Sequence, residues 1–594
     1  MNHCKRRFRK RLAIHYKKKS ESTGQGPARS ASKLKPWGRS LGDFGTLGAA
    51  EKKLLTACKD GKLAKISKVR PSGETSDNRI RASFLRFLIL GGDENAPVHE
   101  KGPRVSGAWI TGRLDICYTT AKHSIYCRKC RFTSSIQLIG CTLNGSLRLE
   151  GCRVSGIDAD GLIVHGDIFL RNRFRSSKEV RFIGARISGD LDCSNGQFLG
   201  ASNDSISIDR INVDGDVYLS GKLFRALSGV SLTGAHIVGN LYFDEANLSG
   251  GLTAAGVDVS GGLFFQKLQF PVSPVVLMSS QLGALYDDAE SWGNDLNLDG
   301  LEYRILGNGA PTDAKTRLEW LEKQNDRARR PSDNHPSFNP QPWRQIQHVL
   351  REMGHIEDSR QIGIAFEKKI RDFDMIGVPP LGWKPWISKI YRRFSRTAHW
   401  VFGALTGYGY RPYQLVLWCL ICWLACGGFY WRMALPDNDV FAPSDPLVFL
   451  NPAFSHCRAT TPNNNLHAAS SLEVATTSTT PNESSDSVAS EGPENHVVKE
   501  QVNWYTCEST PAEYPGFSPF AYSLDVMLPL VDLQQENYWG PIISPPDDEP
   551  FYELIYFDGE RITRLVIWLQ TLFGWVVSVL LVAIVSGLTR RREE

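Results

Sequence analysis

The sequence predicts a β-helix joined to a two-span membrane module, mainly β with α. Three observations carry this. A short glycine-centred motif recurs seven times between Gly112 and Gly261. Two long stretches near the C-terminus carry no charged residue. The charge of the chain is also unevenly divided. Its net formal charge is +6, yet residues 434–560 hold 20 Asp and Glu against Arg458 and Lys499 alone. A chain divided in this way is usually divided by a membrane. With 594 residues, several domains are expected.

In chain order, residues 1–45 form a basic tail. "KRRFRKRLAIHYKKK" holds nine Lys and Arg and no acid. No apolar run follows it, so it does not read as a signal peptide. It reads as a disordered, solvated segment whose charge attracts anionic lipid or nucleic acid. Residues 46–95 read as a helical N-cap built from "AAEKKLLTACKDG" and "IRASFLRFLIL".

Residues 100–306 hold the repeat. "ITGRLDI", "LNGSLRL", "VHGDIFL", "ISGDLDC", "VDGDVYL", "IVGNLYF" and "VSGGLFF" place glycines at 112, 145, 166, 189, 215, 239 and 261. The successive spacings are 33, 21, 23, 26, 24 and 22. Fixed periods of this size mean a stacked architecture. Ala185, Ile187, Gly189 and Leu191 recur as Ala235, Ile237, Gly239 and Leu241. This is period two, so these side chains share one face of extended chain. The 3.6 period of a helix is absent. Short rungs joined by tight turns cannot bury their apolar side alone, so coils must stack. The pattern resembles right-handed, pentapeptide-repeat-like β-helices with looser coils.

The same register interprets the cysteines. Cys117, Cys127, Cys130, Cys141 and Cys152 are close enough in sequence to suggest zinc. But Cys130, Cys141 and Cys152 each precede an apolar rung residue by two, the slot that alanine fills elsewhere. They read as small core residues. "LNLDGLEYRIL" reads as the closing rung, and residues 312–376 as a helical hairpin. The basic, aromatic segment 377–411 reads as interfacial.

Two spans follow, at 412–432 and 564–588. Tyr413–Trp431 and Leu565–Leu588 are uncharged over 19 and 24 residues, about the length a bilayer requires. Small residues Gly427, Gly428, Gly574, Ser578, Ala583 and Gly587 are candidates for close packing of the spans. Arg392, Arg393, Arg396 and Arg411 precede the first span, and Arg590, Arg591 and Arg592 follow the second. Basic flanks stay in the cytoplasm. Both termini and the β-helix are therefore expected inside a bacterial inner membrane, with residues 433–563 outside and a basic cytoplasmic tail at 589–594. Cys457 and Cys507 are the two cysteines of the outside segment and could pair there.

Within that segment, residues 433–516 read as an acidic, partly disordered loop. Residues 517–563 read as a pore-loop-like or lid segment. From Ser518, "SPFAYSLDVMLPLVDLQ" opens a re-entrant or interfacial helix, too short to span. Its candidate face is Tyr522, Asp525, Pro529 and Asp532, the two acids seven residues apart and able to concentrate cations. Thr406-Gly407-Tyr408-Gly409 is similar to a potassium filter. It precedes the first span, however, and reads as the break between the interfacial helix and that span.

No phosphate-binding glycine loop, dinucleotide fingerprint or HExxH is present. Gly38, Ser40 and Gly42 fit GxSxG but lack the strand that such an elbow needs. An enzyme is unsupported by motif, and no cofactor or metal is expected. The full order, from "GAWITGRLDI" through "REMGHIEDSRQIGIAFEK" and "TGYGYRP" to "YSLDVMLPLVDLQ", resembles bacterial membrane proteins of uncharacterised function, some labelled membrane-associated oxidoreductase. Over residues 46–592 that resemblance implies a cytoplasmic β-helix and a C-terminal two-span module. The expected role is binding or scaffolding, with an unknown protein partner on the β-helix. An oligomeric, channel-like conductance and an oxidoreductase stay open as rivals, as does a homo-oligomer.

Overall fold

The structure, a computed structural model, describes residues 40–201, 204–324, 338–457, 503–507, 513–529, 531–542 and 559–586. The N-terminal basic tail to residue 39, most of the acidic loop, Gly587 and the tail 589–594 lie outside them. The chain divides into two compact units at Gly363/Ile364.

The first unit is a parallel β-solenoid of about nine turns. Most rungs are only two residues long, one pointing in and one out. Four columns of rungs run along it. The first stacks Thr142–Leu143, Ile163–Val164 and Arg186–Ile187. The second stacks Leu147–Arg148, Ile168–Phe169 and Leu191–Asp192. The third stacks Arg131 with Arg153–Val154 and Arg175–Ser176. The fourth stacks Ile136–Gln137, Ile157–Asp158 and Val180–Arg181. Ala185, Ile187, Leu191, Ala235, Ile237 and Leu241 are all buried. The period-two reading thus assigns the interior correctly.

The motif glycines explain the corner between the first two columns. A Cβ at Gly166, Gly189, Gly215 or Gly239 would overlap the coil before it. Only glycine lets coils approach this closely. The residue after each glycine then stitches the coils together. Ser146 Oγ accepts the Asp167 amide at 3.1 Å, Asp167 Oδ1 that of Asp190 at 3.2 Å, and Asp190 Oδ1 that of Asp216 at 2.9 Å. Asp216 Oδ1 takes the Asn240 amide at 2.7 Å.

The first motif copy departs from this column. Ile110 and Leu114, which flank Gly112, lie in the third and fourth columns. The residue pair that stacks under Leu143 in the first column is Thr120–Ala121. The interval of 33 is thus not a long coil, but a step to another corner plus one full turn.

Both ends are closed. Helices Ala49–Lys59 and Ala82–Ile89 meet at the N-terminal end, where buried Glu51 receives Arg81 Nη2 at 2.7 Å and Nε at 2.8 Å. At the other end, helix Ala314–Glu322 inserts Arg317, and helix Gln341–Glu352 lies on the last strand. There Gln345 Nε2 donates to the Tyr303 carbonyl at 2.7 Å.

In the second unit, helix Pro385–Thr406 ends at Gly407, whose φ of 57° is the left-handed cap that glycine supplies. Thr406 Oγ1 accepts the Gly409 amide at 3.0 Å. The filter-like residues are thus a helix stop. Helices Tyr413–Ala434 and Gly559–Val585 follow, both long and apolar enough to cross a membrane. Trp418, Trp568 and Leu572 are exposed along them. Between them in sequence lie helix Pro519–Met527 and an antiparallel pair, Phe441–Pro443 with Trp539–Pro541.

Candidate functional site

Two places bring chemistry together, one in each unit. On the solenoid they are the outward columns, because an inward rung residue is committed to the core. In the second column, Tyr218, Tyr242, Phe264 and Tyr286 stack with centroids 4.8, 4.5 and 4.1 Å apart. The rings cover one another's faces, so this ladder is cohesive and offers mainly edges.

The third column is different. Arg131, Arg153 and Arg175 pair residue for residue on successive coils. Such rungs are about 4.8 Å apart. Arg131 lies over Trp109, 4.6 Å from the ring centroid, and donates to the Ser72 carbonyl at 3.2 Å. Arg70 reaches in from the loop of the first coil, between strands Ala64–Lys65 and Arg79–Arg81, and donates to the carbonyls of Gly151 at 3.1 Å and Arg173 at 3.4 Å. Burial, then the charge of Arg153, pushes its pKa down, and Arg175 and Arg131 add to the effect. Among the described residues no carboxylate pairs with these four arginines. Elsewhere the fold supplies one: Arg171 takes Asp192 at 2.8 Å and Glu150 at 3.3 Å, and Arg181 takes Asp160 at 2.6 Å. Sequence reasoning missed the ladder. The signal was a spacing of 22 residues between Arg131, Arg153 and Arg175.

Two concavities also lie in this unit. A basic groove of about 880 Å³ at the N-terminal end is lined by Lys52, Lys53, Lys62, Lys65 and Arg104. A polar cleft of about 470 Å³ near the other end is lined by Asp258, Gln281, Glu302 and His348. His236 meets Asp258 at 2.9 Å beside it.

In the second unit, helix Pro519–Met527 is pinned to both long apolar helices. Trp423 Nε1 donates to the Phe520 carbonyl at 2.9 Å, and Ser523 Oγ to the Trp423 carbonyl at 3.0 Å. Gln570 Nε2 donates to Ser523 O at 2.9 Å and Oγ at 2.8 Å, while Tyr430 OH donates to Gln570 Oε1 at 2.7 Å. Tyr430, Ser523 and Gln570 are buried. Apolar surroundings make such bonds hard to exchange for water.

The small span residues divide. A Cβ at Gly427 would press on the Phe520 ring, and one at Gly574 would overlap the Met527 carbonyl. Both glycines thus make room for the intervening helix rather than for the opposite apolar helix. Gly428 faces open space, and Ser578 and Ala583 are half-buried.

The acidic face needs correction. The helix stops at Met527, because Leu528 precedes Pro529 and takes an extended backbone at φ −100° and ψ 92°. Asp532 lies beyond that end and is exposed, so it shares no helical face with Asp525. Asp525 is buried beside Tyr522, and its carboxylate accepts the amides of Leu533 at 2.7 Å, Gln535 at 2.8 Å and Glu536 at 2.9 Å. It folds the chain back instead of presenting charge to ions.

Cys457 and Cys507 are joined by a disulfide with Cα atoms 5.5 Å apart. With His456 they are the one set of three potential metal ligands grouped closely enough among the described residues. The disulfide occupies both sulfurs. Cys127, Cys130, Cys141 and Cys152 are free and buried inside the solenoid.

Comparison with known proteins finds no matching family, no matching curated protein and no matching solved structure.

Proposed function

We propose that this chain is a multi-pass protein of a bacterial inner membrane whose solenoid, wound right-handed and lying in the cytoplasm, is a binding or scaffolding module. The arginine ladder carries the reading. A rigid face with four cations and, among the described residues, no carboxylate partner costs stability unless a partner supplies the opposite charge. The basic flanks of the spans and the resemblance to bacterial two-span proteins support the orientation. Helix Pro519–Met527 acts here as a lid or re-entrant element wedged against the spans.

The rival conductance loses its candidate cation site, since Asp525 is consumed by three backbone amides. The test uses purified full-length protein in nanodiscs and liposomes. Chemical cross-linking in cells, followed by purification, captures a partner bound to the solenoid. Ion flux in liposomes would sink the scaffold in favour of a channel, and a flavin or haem absorbance band in favour of an oxidoreductase. Orientation is read separately. A cysteine placed by Ser444→Cys reacts with an impermeant thiol reagent outside whole cells, and one placed by Lys389→Cys does not. Both positions are exposed. The reverse pattern inverts the topology.

A further inference from the structure

The arginine ladder also says what kind of partner it takes. We propose that Arg70, Arg131, Arg153 and Arg175 bind an anion carrying two or more phosphate groups, either a free oligophosphate or a phosphorylated lipid headgroup. The proposal rests on the reading of the solenoid as a binding module and names its ligand chemistry.

The geometry comes from the fold. Because the third column is in register, the three rung arginines leave the surface at the same height and repeat at about 4.8 Å. Like charges placed directly opposite on adjacent strands repel. The solenoid has no freedom to spread them, since the rung residues on either side of the coil are locked in their own columns. Arg70 adds a fourth charge against the same group, held there by the carbonyls of Gly151 and Arg173. A single carboxylate would neutralise one of the four. A phosphate offers more charge and accepts the guanidinium fork through two oxygens at once. Two phosphates set about one rung apart would bridge successive arginines.

The observations favour such an anion over nucleic acid. Non-specific binding of single strands needs aromatic faces on which bases stack. Phe132 and Phe198 of this column are buried in the core, and its outward aromatic, Trp109, is already covered by Arg131. Downstream of Arg175 the column continues with Gln197 before Arg225, so the dense part is three rungs long.

The experiment uses full-length protein in neutral-lipid nanodiscs. Inorganic tripolyphosphate is titrated calorimetrically. In parallel, the protein in detergent is mixed with phosphatidylcholine vesicles with and without a phosphatidylinositol bisphosphate. The parent binds at least one of the two probes, and which one it binds identifies the source of the phosphate. Arg153→Gln/Arg175→Gln weakens that binding at least about tenfold, the loss of about one charge-assisted contact. Arg225→Gln, on the same column but outside the cluster, leaves it unchanged. The double variant melts at or above the temperature of the parent without ligand, because it relieves repulsion, and tripolyphosphate or the bisphosphate lipid no longer raises its midpoint.

Binding of neither probe overturns the proposal, as does equal loss in Arg225→Gln or tighter binding of oligothymidine. A lower midpoint in the double variant would make these arginines structural and also overturn it. If neither probe binds the parent and cross-linking still captures a partner, the scaffold reading survives and the phosphate assignment alone has failed.

Discussion

Arg317 grips Asp287 with both arms of its guanidinium. Nη1 lies 2.7 Å from Oδ2 and Nη2 2.8 Å from Oδ1, with both side chains 1% exposed. Trp292 Nε1 adds a third bond to the carboxylate at 2.9 Å. Asp287 ends strand Gln281–Asp287, which pairs with the last strand, and Arg317 belongs to the capping helix, so the pair fastens the cap. Removing one partner leaves a buried, uncompensated charge. Arg317→Met is expected to cost about 3–5 kcal/mol, and Arg317→Met/Asp287→Leu distinctly less. Denaturant unfolding of the full chain, followed by far-ultraviolet dichroism, measures both. A double variant as unstable as the single one would refute the desolvation argument.

The inward register predicts a second pair of outcomes. Ala235 is 1% exposed and Val238, three residues later, is 48% exposed. Ala235→Leu overpacks a coil and is expected to cost about 1–3 kcal/mol. Val238→Ser is expected to stay within about 0.5 kcal/mol of the parent. Equal effects at the two positions would mean that the columns are misassigned.

The wedge between the two long apolar helices makes a third. Gly574→Ala forces its new methyl against the Met527 carbonyl, which is backbone and cannot swing aside. Gly427→Ala meets only the Phe520 ring, and Gly428→Ala meets nothing. The loss of thermal stability in detergent should fall in that order, from about 1–3 kcal/mol at Gly574 to near zero at Gly428. A Gly428→Ala variant as damaged as Gly574→Ala would remove the wedge from the account.

The N-terminal cap carries a pH dependence. Burial raises the Glu51 pKa, but hydrogen bonds from Arg81 and the Gly48 amide outweigh it and hold the carboxyl below its ordinary value. A depressed carboxylate stabilises the fold in full above its unfolded pKa, about 4.3. That stability is lost as pH falls through the lower folded value. Protection of the Ala49–Lys59 helix from amide exchange should therefore fade in acid below that range. Glu51→Gln should show weak protection at neutral pH and little further change. Acid loss of the same size in Glu51→Gln would assign the effect to another group.

Much of the solenoid is legible in the sequence because burial writes a period of two into the apolar residues. Ile187 and Ile237 announce their columns. The outward residues obey no such constraint, so Arg153 is visible only through its 22-residue interval from Arg131 and Arg175. Gly112 misled because one corner of a polygonal coil can mimic another over seven residues. The two long apolar helices are legible from their lack of charge, yet Gln570 in the second gives no sign of its partner. Ser523 lies 47 positions earlier, and only the folded chain brings them together. Asp525 and Asp532 looked equivalent because the seven-residue spacing presumes an unbroken helix. The return of residues 533–536 to the Asp525 carboxylate is a tertiary event with no local signature.

The seam of Gly166, Gly189, Gly215 and Gly239, with Asp167, Asp190, Asp216 and Asn240 beside it, makes the length of this solenoid a counted quantity. The chain can be shortened or lengthened only by whole circuits. Excising residues 216–239 would join Gly215 to Asn240, preserve every column and remove about 4.8 Å of height. Excising half as many would rotate everything downstream to the wrong side of the polygon. The molecule thus behaves as a ruler with discrete graduations. The distance between whatever its two ends hold is set by an integer that mutation can change one step at a time.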